Sequence, residues 1–200
     1  VKNIEKSFDG NKILKGISTI FETGKTNLII GQSGSGKTVL LKSLLGIHTP
    51  ESGQICFDGR VYSELDKNEK RDLRTEIGMV FQGSALFDSM TVAENVGFPL
   101  RMFTNDNNAK IKERVDFVLE RVALIDAHTK LPSQISGGMQ KRVAIARAIV
   151  NRPKYLFCDE PNSGLDPNTS ILIDNLIKEI TEEYDITTVI NTHDMNSVME

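Results

Sequence analysis

Apolar and polar positions alternate through the first thirty residues in the manner of β-strands. The stretch VKNIEKSFDGNKILKGIS is broken at Asp9-Gly10, and TIFETGKTNLIIG carries the alternation across Thr23-Gly24. Both dipeptides are turn signals, so the pattern predicts antiparallel pairing through two tight turns. Residues 27–30 form a short apolar run ending in glycines, and leucines then recur at helical spacing over residues 38–47. This is the order strand, glycine-rich loop, helix. Beyond Pro50, SGQICFDGRVY predicts a further edge hairpin, and IGMVF at residues 77–81 a buried strand.

The pattern then changes period. Thr91-Val-Ala-Glu94 has the form of a capping box opening one helix, NDNNA is a polar break, and Ile111, Val115, Leu119 and Val122 mark a second, amphipathic helix. A third follows in VAIARAIVNRP, so residues from about 83 to 150 make a helical lobe. Strand grammar returns at residues 155–158, followed by a helix over about 168–184 and a strand at 187–191. Alternating helices and strands without in–out alternation predict an α/β fold whose parallel sheet is covered on both faces. The chain opens at Val1 and closes at Met199-Glu200 inside what reads as a starting helix, so a missing C-terminal segment is expected.

Composition narrows this picture only a little. Two hundred residues with 39% apolar and 26% charged content suit one soluble domain with an insertion. A net charge of −3 gives no electrostatic reason for a nucleic-acid surface. No window approaches the roughly eighteen uninterrupted apolar residues of a membrane helix, and the N-terminus lacks a signal-peptide core, so a cytosolic chain is expected. Cys56 and Cys158 lie in predicted strands without metal or redox spacing and are expected as small buried hydrophobes.

The chemistry begins at GQSGSGKT, which is Gly31, Gln32, Ser33, Gly34, Ser35, Gly36, Lys37 and Thr38. It fits G-x-x-x-x-G-K-[ST] between a strand and a helix. Glycines there let successive backbone N–H groups turn inward around phosphates, and the helix N-terminus adds its positive end. In that motif Lys37 reaches the β- and γ-phosphates of a nucleotide, and the Thr38 hydroxyl binds Mg²⁺. The partner acid of such a site stands at the end of an apolar strand. YLFCDE supplies Asp159 for the metal shell and Glu160 to polarise the attacking water, although acids also end strands for no catalytic reason.

Further motifs select among the enzymes that share those two. ISGGMQ lies upstream of YLFCDEP, which is followed by NSGLDP and then NTHD, and this order resembles the signature, Walker B, D-loop and H-loop series of ABC ATPases. Gln82, closing IGMVFQ, sits where that family has its Q-loop glutamine, and Phe8 where it has the aromatic that stacks on adenine. Taken alone, Phe8 has a packed hairpin aromatic as its second reading, and His193 reads first as a satisfied polar residue; their joint placement carries the resemblance, which spans essentially the whole chain.

The resemblance implies a P-loop NTPase of the ABC ATPase fold. Residues of about 1–82 and 151–200 would form the RecA-like core with an antiparallel β subdomain, and about 83–150 the helical lobe. It further implies two copies facing head to tail, so that Ser136, Gly137 and Gly138 of one touch the γ-phosphate held by the other, with Asp166 communicating across the dimer. Glu160 would be the general base, His193 would contact the γ-phosphate, and Gln82 would link Mg²⁺ to the lobe that meets a membrane permease. ATP and Mg²⁺ are the implied cofactors, and the inner face of the inner membrane the implied location.

Residues 39–135 contain no sustained heptads, unlike chromosome-maintenance ATPases, and one cassette is present where translation-factor types have two. A transporter subunit is therefore expected. SGGM in place of the usual SGGQ, and GSALFDSMTVAENVGFPLR after the Q-loop, resemble the ATPases of lipid transporters of the maintenance-of-lipid-asymmetry (Mla) type. Those work with mammalian-cell-entry (MCE) domain lipid-binding proteins. The open alternative is an importer or exporter of another solute.

Overall fold

The structure is a computed structural model and describes residues 1–193. In chain order its elements are β1 (Lys2–Phe8), β2 (Asn11–Ile17), β3 (Thr26–Ile30), α1 (Lys37–Leu44), β4 (Ser52–Gln54), β5 (Cys56–Phe57), β6 (Arg60–Val61), α2 (Lys67–Thr75), β7 (Ile77–Val80), α3 (Val92–Phe103), α4 (Asn108–Arg121), α5 (Gly137–Ile149), β8 (Tyr155–Asp159), α6 (Pro167–Glu183) and β9 (Thr187–Thr192). The helix suggested at Met199 lies outside the described residues.

The central sheet is four-stranded and parallel in the order β3-β9-β8-β7. Its register sets Asp159 beside Asn191, so the C-terminal ends of β8 and β9 finish level with one another. On one face Tyr155, Phe157 and Val189 pack with Leu40, Leu41 and Leu44 of α1 and with Ile4, Leu14 and Phe57 from the antiparallel strands. On the other face Leu156, Cys158 and Ile190 join a larger core built from α3, α4, α5 and α6. Helix α5 carries this core from the sheet out to the lobe, with Val143, Ala144, Ile145 and Ala146 all fully buried. Both faces of the sheet are thus covered, as its apolar strands demand.

The hairpin predicted at Asp9-Gly10 forms, with positive φ at both residues (49° and 79°), and β1 also pairs with β4. Thr23-Gly24 differs: β3 pairs in parallel with β9, so this turn carries the chain from one sheet to another and is not a hairpin. The apolar run alone held no record of which strand would lie beside it. At the sheet edge, Leu28 and Ile30 remain 36% and 45% exposed, and Leu28 faces a groove of about 550 Å³ against α6. Cover on that edge is therefore incomplete.

Cys158 is buried, and burial pushes its thiol pKa well up. Cys56 is exposed, against expectation, because period-two alternation in its strand turns Ile55 and Phe57 inward and the residue between them out. Helix α2 has no apolar stripe, only Leu73 being buried. It is started instead by a capping box in which Asp66 accepts from the N–H groups of Asn68 and Glu69 while Glu69 accepts from that of Asp66. The Thr91/Glu94 capping box forms as predicted at the start of α3.

Candidate active site

Strand β3 delivers the chain into the loop Gly31–Gly36, and α1 starts directly at Lys37. Gly36 has φ 97° and lies against Ile13 and Leu14, so a side chain there would be strained in backbone and crowded in space. No acidic side chain stands in the first turn of α1, which leaves its positive end free for an anion. The Lys37 ammonium folds back over the loop, donating to the carbonyls of Gly31 (2.8 Å) and Gln32 (3.1 Å), and is 8% exposed. Gln32, Ser33, Gly34 and Ser35 complete the curve of the loop, which the Ser35 N–H closes onto the Gln32 carbonyl at 3.2 Å.

Thr38 follows on the first turn of α1, and its hydroxyl donates to Asp159 Oδ1 at 3.0 Å. Asp159 ends β8 and is 5% exposed. Among the described residues no group of three or more His, Cys, Asp or Glu side chains gathers as a protein-only metal cage. A hydroxyl and a carboxylate beside a phosphate loop instead fit a hard cation such as Mg²⁺, whose shell is completed by phosphate and water oxygens.

Glu160 lies one residue on, with φ 46°, an uncommon left-handed conformation for a non-glycine residue. Its N–H donates to both the backbone carbonyl (3.1 Å) and the side-chain Oδ1 (2.9 Å) of Asn191, which fixes the turn off the strand. The carboxylate is then gripped from both sides: Gln82 Nε2 donates to Oε2 at 3.0 Å, and His193 Nδ1 lies 3.0 Å from Oε1. Gln82 also reaches Ser163 Oγ at 3.4 Å. Residues following β7, β8 and β9 thus converge on one carboxylate.

Phe8 is 39% exposed at the end of β1. The His48 ring meets it edge-on with centroids 5.3 Å apart, and Lys6 Nζ stands 5.3 Å from its centroid. Ser136 caps α5, its hydroxyl accepting from the Met139 N–H at 3.3 Å, and Gly137 and Gly138 form the first turn. Gly138 packs so closely on Thr169 that a Cβ would lie 2.7 Å from its methyl, which places this turn against the start of α6. Asp166 caps α6, and its hydrogen bonds from Thr169 hold its carboxyl below the usual range. Among the described residues no hydrogen bond joins Ser136, Gly137 or Gly138 to the loop and helix start at 31–38. Met139 packs into the lobe core.

Two cations of α5 escaped the sequence reading. Lys141, 5% exposed, donates to the backbone carbonyl of Gln82, and burial lowers its pKa against the opposing pull of Asp159, Cys158 and Glu160. Arg147 donates to the carbonyls of Ser84 (2.7 Å) and Ala85 (2.8 Å), and burial lowers its pKa too. The available signal was positional: Lys141 lies four residues before Ile145 and eight before Ile149, on the apolar stripe, where a charge requires a partner.

A sequence profile of the family described as ABC transporter matches residues 14–163. The "Probable ribonucleotide transport ATP-binding protein mkl" of Mycobacterium leprae (strain TN) is 40% identical over 196 residues, which is 98% of this chain and 56% of that protein. The "Methionine import ATP-binding protein MetN" of Carboxydothermus hydrogenoformans is 42% identical over 203 residues, 100% of this chain and 60% of its own. The chain thus spans between half and two thirds of the length of these relatives. Among solved structures, the dimeric bacterial ABC transporter cassette MJ0796 superposes with a TM-score of 0.88 at 33% identity, covering 98% of this chain and 88% of that one. The same cassette is also known in a post-hydrolysis state bound to ADP and Pi, and cbiO1 of Clostridium perfringens, part of the cbiONQ complex, superposes with a TM-score of 0.89 at 35% identity, covering 99% of this chain and 79% of that one. The chain belongs to the ABC transporter family and is an ATPase cassette of that family, a domain that takes ATP with Mg²⁺.

Proposed function

We propose that the chain is the motor subunit of a membrane transporter, in which two copies close head to tail on ATP and reopen after hydrolysis. The observation that carries this reading is the grip of Gln82 and His193 on the two oxygens of Glu160, directly beside the Thr38–Asp159 pair. Glu160 takes the proton of a water whose oxygen attacks the γ-phosphorus as the bond to the β-phosphate oxygen breaks. Its orientation is settled before substrate arrives, so little reorganisation is left for the reaction itself. Lys37 and the start of α1 hold the phosphates. Thr38 and Asp159, together with Gln82, would hold Mg²⁺, which would neutralise charge on the phosphate oxygens. His193 contacts the γ-phosphate and helps position the water, and Phe8 stacks on the base.

Ser136, Gly137 and Gly138 serve the loop of a second copy, since within one chain they turn to Met139 and Thr169 instead. ATP bridges both copies and favours the closed state by that differential contact. Asp166 at the head of α6 lies in the same surface. A shared site predicts complementation: mixing the Lys37→Ala and Ser136→Arg forms of the full-length protein creates one intact site per mixed dimer. Hydrolysis should return on mixing; no recovery at any ratio overturns the shared site.

The permease contacts the lobe beside the core. There the Phe87 and Phe98 rings meet at a tilt of 50° with centroids 4.7 Å apart, and with Phe81, Phe103 and Arg147 they line a groove of about 260 Å³ that suits an apolar helix. The cassette then sits peripherally on the inner face of the membrane, and no described helix is long and apolar enough to cross it. The domain division at about residues 83 and 150 follows this lobe. For cargo, SGGM and the segment 83–101 support phospholipid transport with an MCE-domain partner. The names of the relatives, ribonucleotide transport and methionine import, favour a small-solute importer. Co-purification separates the two: an MCE-domain protein supports the first, a solute-binding protein the second.

A further inference from the structure

Helix α5 begins at the signature glycines, and its buried Lys141 and half-buried Arg147 both bind backbone carbonyls of the segment after β7. Lys141 takes the carbonyl of Gln82, and Arg147 those of Ser84 and Ala85. A buried ammonium is costly unless paired, and a general stabilising role would be served by any acceptor on the lobe. The acceptor here is the backbone of the one residue whose side chain holds Glu160 Oε2 and Ser163 Oγ. Ser136, which opens α5, stands five residues before Lys141, little more than one helical turn away.

From this geometry we infer that Lys141 is a positioning residue for hydrolysis: it tethers the Gln82 backbone to the signature helix, so that the Gln82 side chain meets Glu160 in register with the phosphate-facing end of the helix. The inference rests on Glu160 being the general base. Lys141 touches no reacting atom, and its effect passes through the Gln82 side chain. Removing the tether lets residue 82 drift, lowering the fraction of active centres with Glu160 correctly held, while the phosphate loop that binds ATP is untouched. Turnover should therefore change and nucleotide affinity should not.

The test is a double-mutant cycle on ATP hydrolysis by the full-length protein. Lys141→Met should lower kcat about tenfold with KM for MgATP within about twofold, and Lys141→Arg, which keeps a charged donor, should recover most of the loss. In a Gln82→Ala background, where no side chain remains to be placed, Lys141→Met should change single-turnover hydrolysis by less than about twofold. An equal loss in both backgrounds, or no loss in the first, overturns the inference. If Lys141→Met fails to fold, Lys141→Gln enters the same cycle under the same criterion. Glu160→Gln run alongside separates the two levels: if it abolishes hydrolysis while the Lys141 cycle is additive, only the tether falls, and if it does not, the general base falls with it.

Discussion

Gln82 Nε2 and Glu160 Oε2 lie 3.0 Å apart, joining residues 78 positions apart in sequence across the ends of β7 and β8. That contact orients the carboxylate and, under the proposed mechanism, ties the lobe to the hydrolytic centre. Gln82→Ala removes it while leaving the phosphate loop intact. A hydrogen bond to a charged group is worth about 1.5–3 kcal/mol, so kcat should fall by about tenfold to a hundredfold. Steady-state ATP hydrolysis checks this, together with nucleotide titration, which should show affinity within about threefold of the parent.

Lys37 covers the loop proposed to receive the phosphates, its ammonium lying on the Gly31 and Gln32 carbonyls. Lys37→Ala takes a fixed positive charge from the site, and kcat/KM for ATP should fall by about a hundredfold or more. Fluorescent-nucleotide binding and hydrolysis, measured on the same preparation, show how the loss divides between affinity and chemistry.

The loop depends on the helix behind it. Leu41 of α1 is fully buried between the sheet and the antiparallel strands. Leu41→Ala should cost about 2–5 kcal/mol of stability and lower Tm by about 2–4 °C for each of them. Denaturant unfolding gives the first quantity and calorimetry the second.

Acid sensitivity should pass in part through Glu76. The Arg60 guanidinium meets its carboxylate with two hydrogen bonds, 3.1 and 2.6 Å, and holds its pKa below 4.5, with Lys154 adding to the effect. A depressed carboxylate contributes stability above its unfolded pKa and loses it as pH falls through the folded value. Arg60→Met should therefore be less stable than the parent at neutral pH, and the gap should narrow as pH drops below 4.5. Urea midpoints measured across that range give the comparison.

What could be read from sequence was what depends on local geometry. The glycine loop, the cap at Thr91 and the placing of Asp159 at the end of its strand are set by neighbours a few residues away, and each lies where its pattern points. What escaped was set by distant contacts. Thr23-Gly24 looks like any hairpin turn until β9 is seen beside β3. Helix α2 carries almost no apolar side chains, although Asp66 and Glu69 announce its start. Lys141 lies on the apolar stripe of its helix, but its acceptor is known only once the path of the Gln82 backbone is. Gln82, Glu160 and His193 were recognisable singly through the resemblance, but their meeting on one carboxylate required the fold.

The central claim, that Glu160 is the general base, is tested most directly by Glu160→Gln in single-turnover hydrolysis of prebound ATP. The amide keeps the shape of the side chain and removes its capacity to take a proton, so hydrolysis should slow by about a hundredfold or more while ATP stays bound and the two copies stay closed. Hydrolysis at the parental rate would contradict the assignment and leave the Gln82 and His193 contacts without a catalytic purpose.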